Sequence, residues 1–160
     1  MKAGVTGHRE LDGQDTVAWV RARLEEAVDD LRITAGLTSL AVGADQMFAD
    51  LMLDRHLLFT AVIPSDHYET TFASTERPHF DALRNAAAHV ICLPFSKPSE
   101  DAYMSAGKAI VDGADLLIAI WNGKPARGYG GTADVVDYAL ASKKKVRHIN
   151  PASRTVNDLP

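Results

Sequence analysis

Asp115-Leu116-Leu117-Ile118-Ala119-Ile120-Trp121 is the stretch that decides the fold. Its apolar residues do not alternate with polar ones, so a strand made from it is buried on both faces, as at the centre of a parallel sheet covered by helices. Outward on the N-terminal side, Tyr103, Ala106, Ile110 and Val111 recur at helical spacing. Before them, His89-Val90-Ile91-Cys92-Leu93 reads as a buried strand that Pro94 stops. On the C-terminal side, residues 122–131 form a Gly/Pro-rich connection. A helix over 132–142 follows, with Val135, Val136, Ala139 and Leu140 on its apolar face, and then a strand over Val146 to Ile149.

The same alternation runs back to the N-terminus. Ala3-Gly4-Val5 is a first strand, and Val17, Val20, Leu24, Val28 and Leu31 mark an amphipathic helix, with Asp12 or Asp15 as its candidate cap. Ser39-Leu40-Ala41-Val42 is the second strand candidate, and Met47, Phe48, Leu51 and Met52 mark the helix after it. Leu58 to Ile63 is the third, stopped by Pro64. Residues 65–75 carry no clean period, and a helix is expected around Asp81 to Arg84. Strands alternating with helices predict an α/β fold of three layers, a mainly parallel sheet with helices on both faces. The expected organisation is one domain over 1–150 and a poorly ordered C-terminal tail over 151–160.

The chain has 160 residues and a formal charge of −4, with 46% hydrophobic and 24% charged residues, the balance of an ordinary globular domain. That charge argues against a polybasic nucleic-acid binder, so no nucleic-acid partner is expected. No apolar run approaches the roughly 20 residues that span a bilayer, and no signal peptide is evident, so no membrane partner and a cytoplasmic location are expected. One cysteine, Cys92, excludes an intramolecular disulfide. Its apolar surroundings predict a buried, inert thiol. Histidines at 56, 67, 79, 89 and 148 show no metal-ligand spacing, and neither a metal nor a cofactor is expected.

Right-handed crossovers bring the C-terminal ends of parallel strands to one edge, where ligands of open α/β sheets bind. Thr6-Gly7-His8-Arg9 follows the first strand, Gly43-Ala44-Asp45 the second, and Asn122-Gly123 the fifth. Gly128-Tyr129-Gly130-Gly131-Thr132 then leads into the last helix. A glycine-rich approach to a helix start favours an anion, phosphate above all, over the alternative of glycines that only shape a helix end. Arg9 suits phosphate or carboxylate in a forked pair, and Thr6 offers a hydroxyl. His8 is an acid or base, a ligand contact or a merely solvated histidine. Asp45 either caps its helix or accepts from sugar hydroxyls. The string from Gly128 to Ala133 fits G-x-G-x-x-A, but it does not lie in the first βα turn, and no P-loop string occurs.

These stations, in this order, resemble the SLOG superfamily, the Rossmann-like domains related to DprA and to the LOG cytokinin-activating enzymes. The resemblance rests on Gly4-Val5-Thr6-Gly7-His8-Arg9, on Gly43-Ala44-Asp45, on Asp115 through Gly123 and on Gly130-Gly131-Thr132, and it covers the chain to Ile149. It implies a cleft for a nucleotide or nucleotide-derived ligand, with phosphate at the Gly-Gly-Thr helix start, and self-association into a homo-oligomer. LOG enzymes hydrolyse the N-glycosidic bond of nucleoside monophosphates with a P-G-G-x-G-T-x-x-E motif. Here the residue three past Thr132 is Val135, so the binding function carries over better than the catalytic one.

The leading expectation is therefore nucleotide-like small-molecule binding, as in a sensor. The ligand-binding candidates are Thr6, Gly7, His8, Arg9, Gly43, Ala44, Asp45, Asn122, Gly130, Gly131 and Thr132. The alternative is a nucleoside monophosphate phosphoribohydrolase, with Asp45 or an acid of the 65–75 loop, Asp66 or Glu69, replacing the glutamate. A second alternative is a protein interaction module with a vestigial pocket.

Overall fold

The computed structural model describes Met1–Pro160. Seven strands form one sheet in the order β4-β3-β2-β1-β5-β6-β7: β1 Lys2–Gly7, β2 Ala35–Thr38, β3 Leu58–Ile63, β4 His89–Cys92, β5 Leu116–Ile120, β6 Lys145–Asn150 and β7 Thr155–Leu159. All neighbouring pairs are parallel except β6 with β7. Five helices connect them: α1 Gln14–Asp30, α2 Ala44–Asp54, α3 Arg77–Ala86, α4 Glu100–Gly113 and α5 Thr132–Ala141.

β5 shows why the sheet needs two helical layers. Leu116, Ile118 and Ile120 belong to one core with α1, α2 and α3, whereas Leu117, Ala119 and Trp121 belong to the other with α4 and α5. With side chains pointing alternately to opposite faces, a strand apolar at every position serves both layers. The chain builds outward from β1 to β4, then crosses back to place β5 on the other side of β1. The order reverses between β1 and β5, and there the loops leave on opposite faces and open a crevice.

Four expectations are corrected. The second strand lies at Ala35–Thr38 rather than at 39–42. Gly36 lets Phe48 of α2 approach so closely that a Cβ there would sit 2.5 Å from the ring. Ser39 to Val42 leaves the sheet instead, with Leu40 at φ 59° and its N–H donating to Thr38 Oγ1 at 3.1 Å. Leu40 is fully buried, so its apolar character records packing under a loop and not strand pairing.

The fourth strand is the sheet's open edge. Helix α4, on one face, lies over β1, β2 and β3, and α3, on the other, packs on α2, so neither helix covers β4 closely and Val90, Ile91 and Cys92 are exposed. The C-terminal residues form β7, pairing antiparallel with β6 from Val146↔Leu159 to Asn150↔Thr155, where disorder was expected. Asn150 shapes the turn, its side-chain oxygen accepting from the N–H groups of Ala152 and Ser153. Neither Asp12 nor Asp15 caps α1. Gly13 occupies the cap position at φ 81°, with no side-chain cap.

Candidate functional site

The ends of β1, β2, β3 and β5 and the start of α5 surround one cleft of about 840 Å³. Ligand pockets commonly span about 300–1,000 Å³. Thr6, Gly7, His8, Arg9, Asp45, Asn122, Gly130, Gly131 and Thr132 line it. Two expected residues do not. Gly43 faces an adjoining groove that it shares with Arg9, and Ala44 is buried beneath Gly7.

The β1 and β2 loops are locked backbone to backbone. Ala44 N–H donates to the His8 carbonyl at 3.1 Å, and a Cβ on Gly43 would come within 2.5 Å of both the His8 and Arg9 carbonyl oxygens. Gly43 also holds φ 90°, so both space and backbone conformation call for glycine. On the other side, His8 N–H donates to the Ile120 carbonyl at 3.0 Å, and His8 Nε2 accepts from Asn122 N–H at 3.1 Å. An accepting Nε2 leaves the proton of the neutral ring on Nδ1. His8 therefore braces β1 against β5 while it lines the cleft.

Asp45 is 6% exposed. It neither caps α2 nor meets a cation by hydrogen bond. Its Oδ2 accepts from Ala41 N–H at 3.3 Å, which pins the loop that leaves β2. Burial pushes its carboxyl up to about 7, against the opposing pull of the Ala41 N–H, of hydrogen bonds at Thr38 and Ser39, and of the Arg9 charge. Arg9 itself makes no ion pair and is exposed at the rim.

The α5 end is an open helix start. No side chain caps it, and the first N–H groups, those of Thr132, Ala133 and Asp134, have no acceptor within the helix. The Gly130 N–H is already taken by Asp134 Oδ2 at 2.9 Å. Gly130 holds φ 89° because it turns tightly past the start of α4, where a Cβ would lie 2.9 Å from the Glu100 carbonyl oxygen and the Met104 nitrogen. Val135, in the position of the LOG glutamate, is 3% exposed and packs toward Gly107.

Sequence reasoning missed Tyr68, Glu100 and Tyr103, all of which line the cleft. Tyr68 opens a 3-10 turn, Tyr68–Thr71, in the stretch that lacks periodicity, so no repeating pattern marked it as inward-facing. Of the three acids weighed as replacements for the glutamate, Asp45 lines the cleft while Asp66 and Glu69 do not. No three histidine, cysteine or acidic side chains gather at metal-ligand spacing.

Compared by sequence, the chain matches no family model and no curated protein. Compared by structure, it superposes on the DNA processing protein A of Streptococcus pneumoniae over 92% of its length, with a TM-score of 0.67 and 16% identity. The corresponding protein of Helicobacter pylori gives 0.65 at 12% identity, again over 92%. The molybdenum cofactor binding protein of Rippkaea orientalis gives 0.60 at 19% identity, over 93% of this chain and 76% of that one.

The chain has a Rossmann-like fold, which it shares with these structures. It spans 49% and 64% of the two DNA processing proteins, so the shared region is one unit within larger chains. In this unit the cleft lies at the β1/β5 reversal, where open α/β sheets bind ligands.

Proposed function

We propose that the cleft binds a nucleotide or nucleotide-derived phosphorylated small molecule, with its phosphate at the start of α5, and that the protein acts as a sensor of that ligand. The observation that carries this reading is the uncapped start of α5, whose Thr132 and Ala133 line the cleft. Free N–H groups and the positive end of the helix dipole favour an anion there. Arg9 supplies a second, unpaired positive charge at the rim. Relatives of this fold named for the molybdenum cofactor support a small-molecule cleft.

One relative's structure is described by its single-stranded DNA binding mode. The negative net charge here favours a small ligand over a polyanion, and the cleft sets Arg9, Lys124 and Arg127 among Glu10, Asp12 and Glu100 instead of presenting a continuous basic track. The phosphoribohydrolase alternative is disfavoured because a buried valine stands where the glutamate would act.

The test is a thermal-shift screen against nucleoside mono- and diphosphates, cyclic nucleotides, ADP-ribose and single-stranded oligonucleotides, with chromatography for released base. A ligand at one hundred times its Kd should stabilise the fold by about 2.7 kcal/mol. Release of base would establish the enzyme instead. A response to oligonucleotides alone, or to no ligand, would overturn the proposal.

A further inference from the structure

On the side of β2 and β3 the cleft is lined by two largely buried oxygen-bearing side chains, Asp45, which holds the Ala41 N–H, and Tyr68, whose hydroxyl has no structural role. Tyr68 is 2% exposed, and its ring is held edge-on by Phe72, Phe80 and Tyr103, with centroid separations of 5.2, 5.6 and 6.4 Å. Its hydroxyl makes no hydrogen bond within the protein and is not sealed in the core, since Arg23 Nε is the one fully buried side-chain polar atom left unpaired; it opens to the cleft that the residue lines. A tyrosine with a buried ring ordinarily finds a partner for its hydroxyl, and this one keeps its bonding capacity free for a ligand. Asp45 stands beside it, with Oδ2 turned to the Ala41 N–H.

Building on the reading of the cleft as a phosphate-ligand site, we propose that Asp45 and Tyr68 form a second subsite, which takes an uncharged hydrogen-bonding part of the ligand, a sugar hydroxyl or a base edge. Three arguments converge on that class. A rigid phenol hydroxyl both donates and accepts, which suits a neutral polar group. Burial, with the neighbouring carboxyl, holds Tyr68 far above the usual phenol range, so it stays neutral. The same burial already disfavours charge on Asp45, so a second phosphate in this corner would add negative charge where charge is poorly solvated.

The α5 start and Tyr68 line the same cleft, so one ligand reaches both, anionic at α5 and neutral at Tyr68.

Calorimetric titration of the wild type and of Tyr68→Phe with inorganic phosphate, ribose phosphate and the common nucleoside monophosphates tests this. The substitution keeps the ring and removes only the hydroxyl. Affinity for a nucleoside monophosphate should fall about three- to tenfold, the worth of one neutral hydrogen bond, while phosphate binding stays unchanged. A fall shared by ribose phosphate assigns the hydroxyl to the sugar, and a fall confined to nucleotides assigns it to the base. Asp45→Asn, which keeps an acceptor for Ala41 N–H, should show the same selectivity. Unchanged affinities in both variants, or phosphate weakened as much as nucleotide, would overturn the subsite and leave the phosphate site standing. A wild type that binds none of these ligands would overturn both.

Discussion

The main-chain N–H of Asn122 donates to Nε2 of His8 at 3.1 Å, joining the end of β5 to the end of β1 across 114 residues of sequence. The bond sits where the strand order reverses, so it sets the width of the cleft between two loops that leave on opposite faces. His8→Ala removes the acceptor and leaves a partly buried N–H unpaired. Stability should fall by about 1–2 kcal/mol, read from the midpoint of urea unfolding, and nucleotide affinity should fall with it. An unchanged midpoint would show that water replaces the imidazole without loss.

Gly43 and Gly13 offer a controlled comparison, since both hold positive φ, at 90° and 81°. A Cβ on Gly13 meets nothing within 4 Å, whereas one on Gly43 meets two carbonyl oxygens at 2.5 Å. Gly13→Ala should cost about 1–3 kcal/mol, from backbone strain alone, since φ 81° with ψ 158° is a conformation that glycine alone adopts readily. Gly43→Ala should cost more than about 3 kcal/mol, because the β1 and β2 loops must separate. Equal melting temperatures for the two variants would refute the backbone lock.

Asp45 makes stability depend on pH. Its folded pKa, about 7, lies above the ordinary carboxylate value of 3.8, so between those values the native state binds more protons than the unfolded one. Stability should therefore fall as pH rises from about 4 to about 7 and level off above, by an amount on the order of a few kcal/mol. Asp45→Asn should flatten this part of the profile and stabilise the protein at pH 8. Parallel profiles for the variant and the wild type would show that another group carries the dependence.

Asp134 occupies the Gly130 N–H at the mouth of α5 and sets a negative charge at the proposed phosphate site. Asp134→Asn keeps an acceptor and removes the charge. Phosphate affinity should rise about two- to fivefold, with a loss of helix stability of about 0.3–1 kcal/mol. Weaker phosphate binding in this variant would place the anion elsewhere.

Cys92 lies exposed on the edge strand, its Sγ 3.8 Å from Asp66 Oδ1. Partial burial and that neighbouring carboxylate raise its thiol above the usual range. A disulfide reagent should titrate the thiol in the native protein, slowly at neutral pH and faster as pH rises. Reaction only after denaturation would restore the buried reading.

Much of the fold was legible because it is carried by local composition. The run from Leu116 to Trp121 is apolar at every position, which only a two-sided environment accommodates, and β5 feeds both cores as expected. The helices followed from periodicity in the same way. Strand 2 was misplaced because Leu40 is buried by a loop at φ 59°, and hydrophobicity records burial without recording pairing. The edge position of β4 was hidden for a related reason. Val90 to Cys92 is as apolar as an interior strand, and its exposure follows from α4 lying over β1, β2 and β3 and α3 lying against α2 instead.

Among the site residues, those on strand ends and at glycine turns could be named in advance, since topology alone carries Thr6 to Arg9, Asn122 and Gly130 to Thr132 to one edge. Their individual duties followed from distances that no spacing in the chain encodes. Asp45 turned inward to the Ala41 N–H, Asp134 turned back to Gly130, and Tyr68 came into the cleft from a segment without periodicity. Apolar pattern and chain connectivity act over a few residues and settle the layers and the edge that carries the cleft. Hydrogen-bond pairing and the desolvation of a carboxyl or a phenol depend on groups distant in sequence, and they take their values only once the strands are assembled side by side.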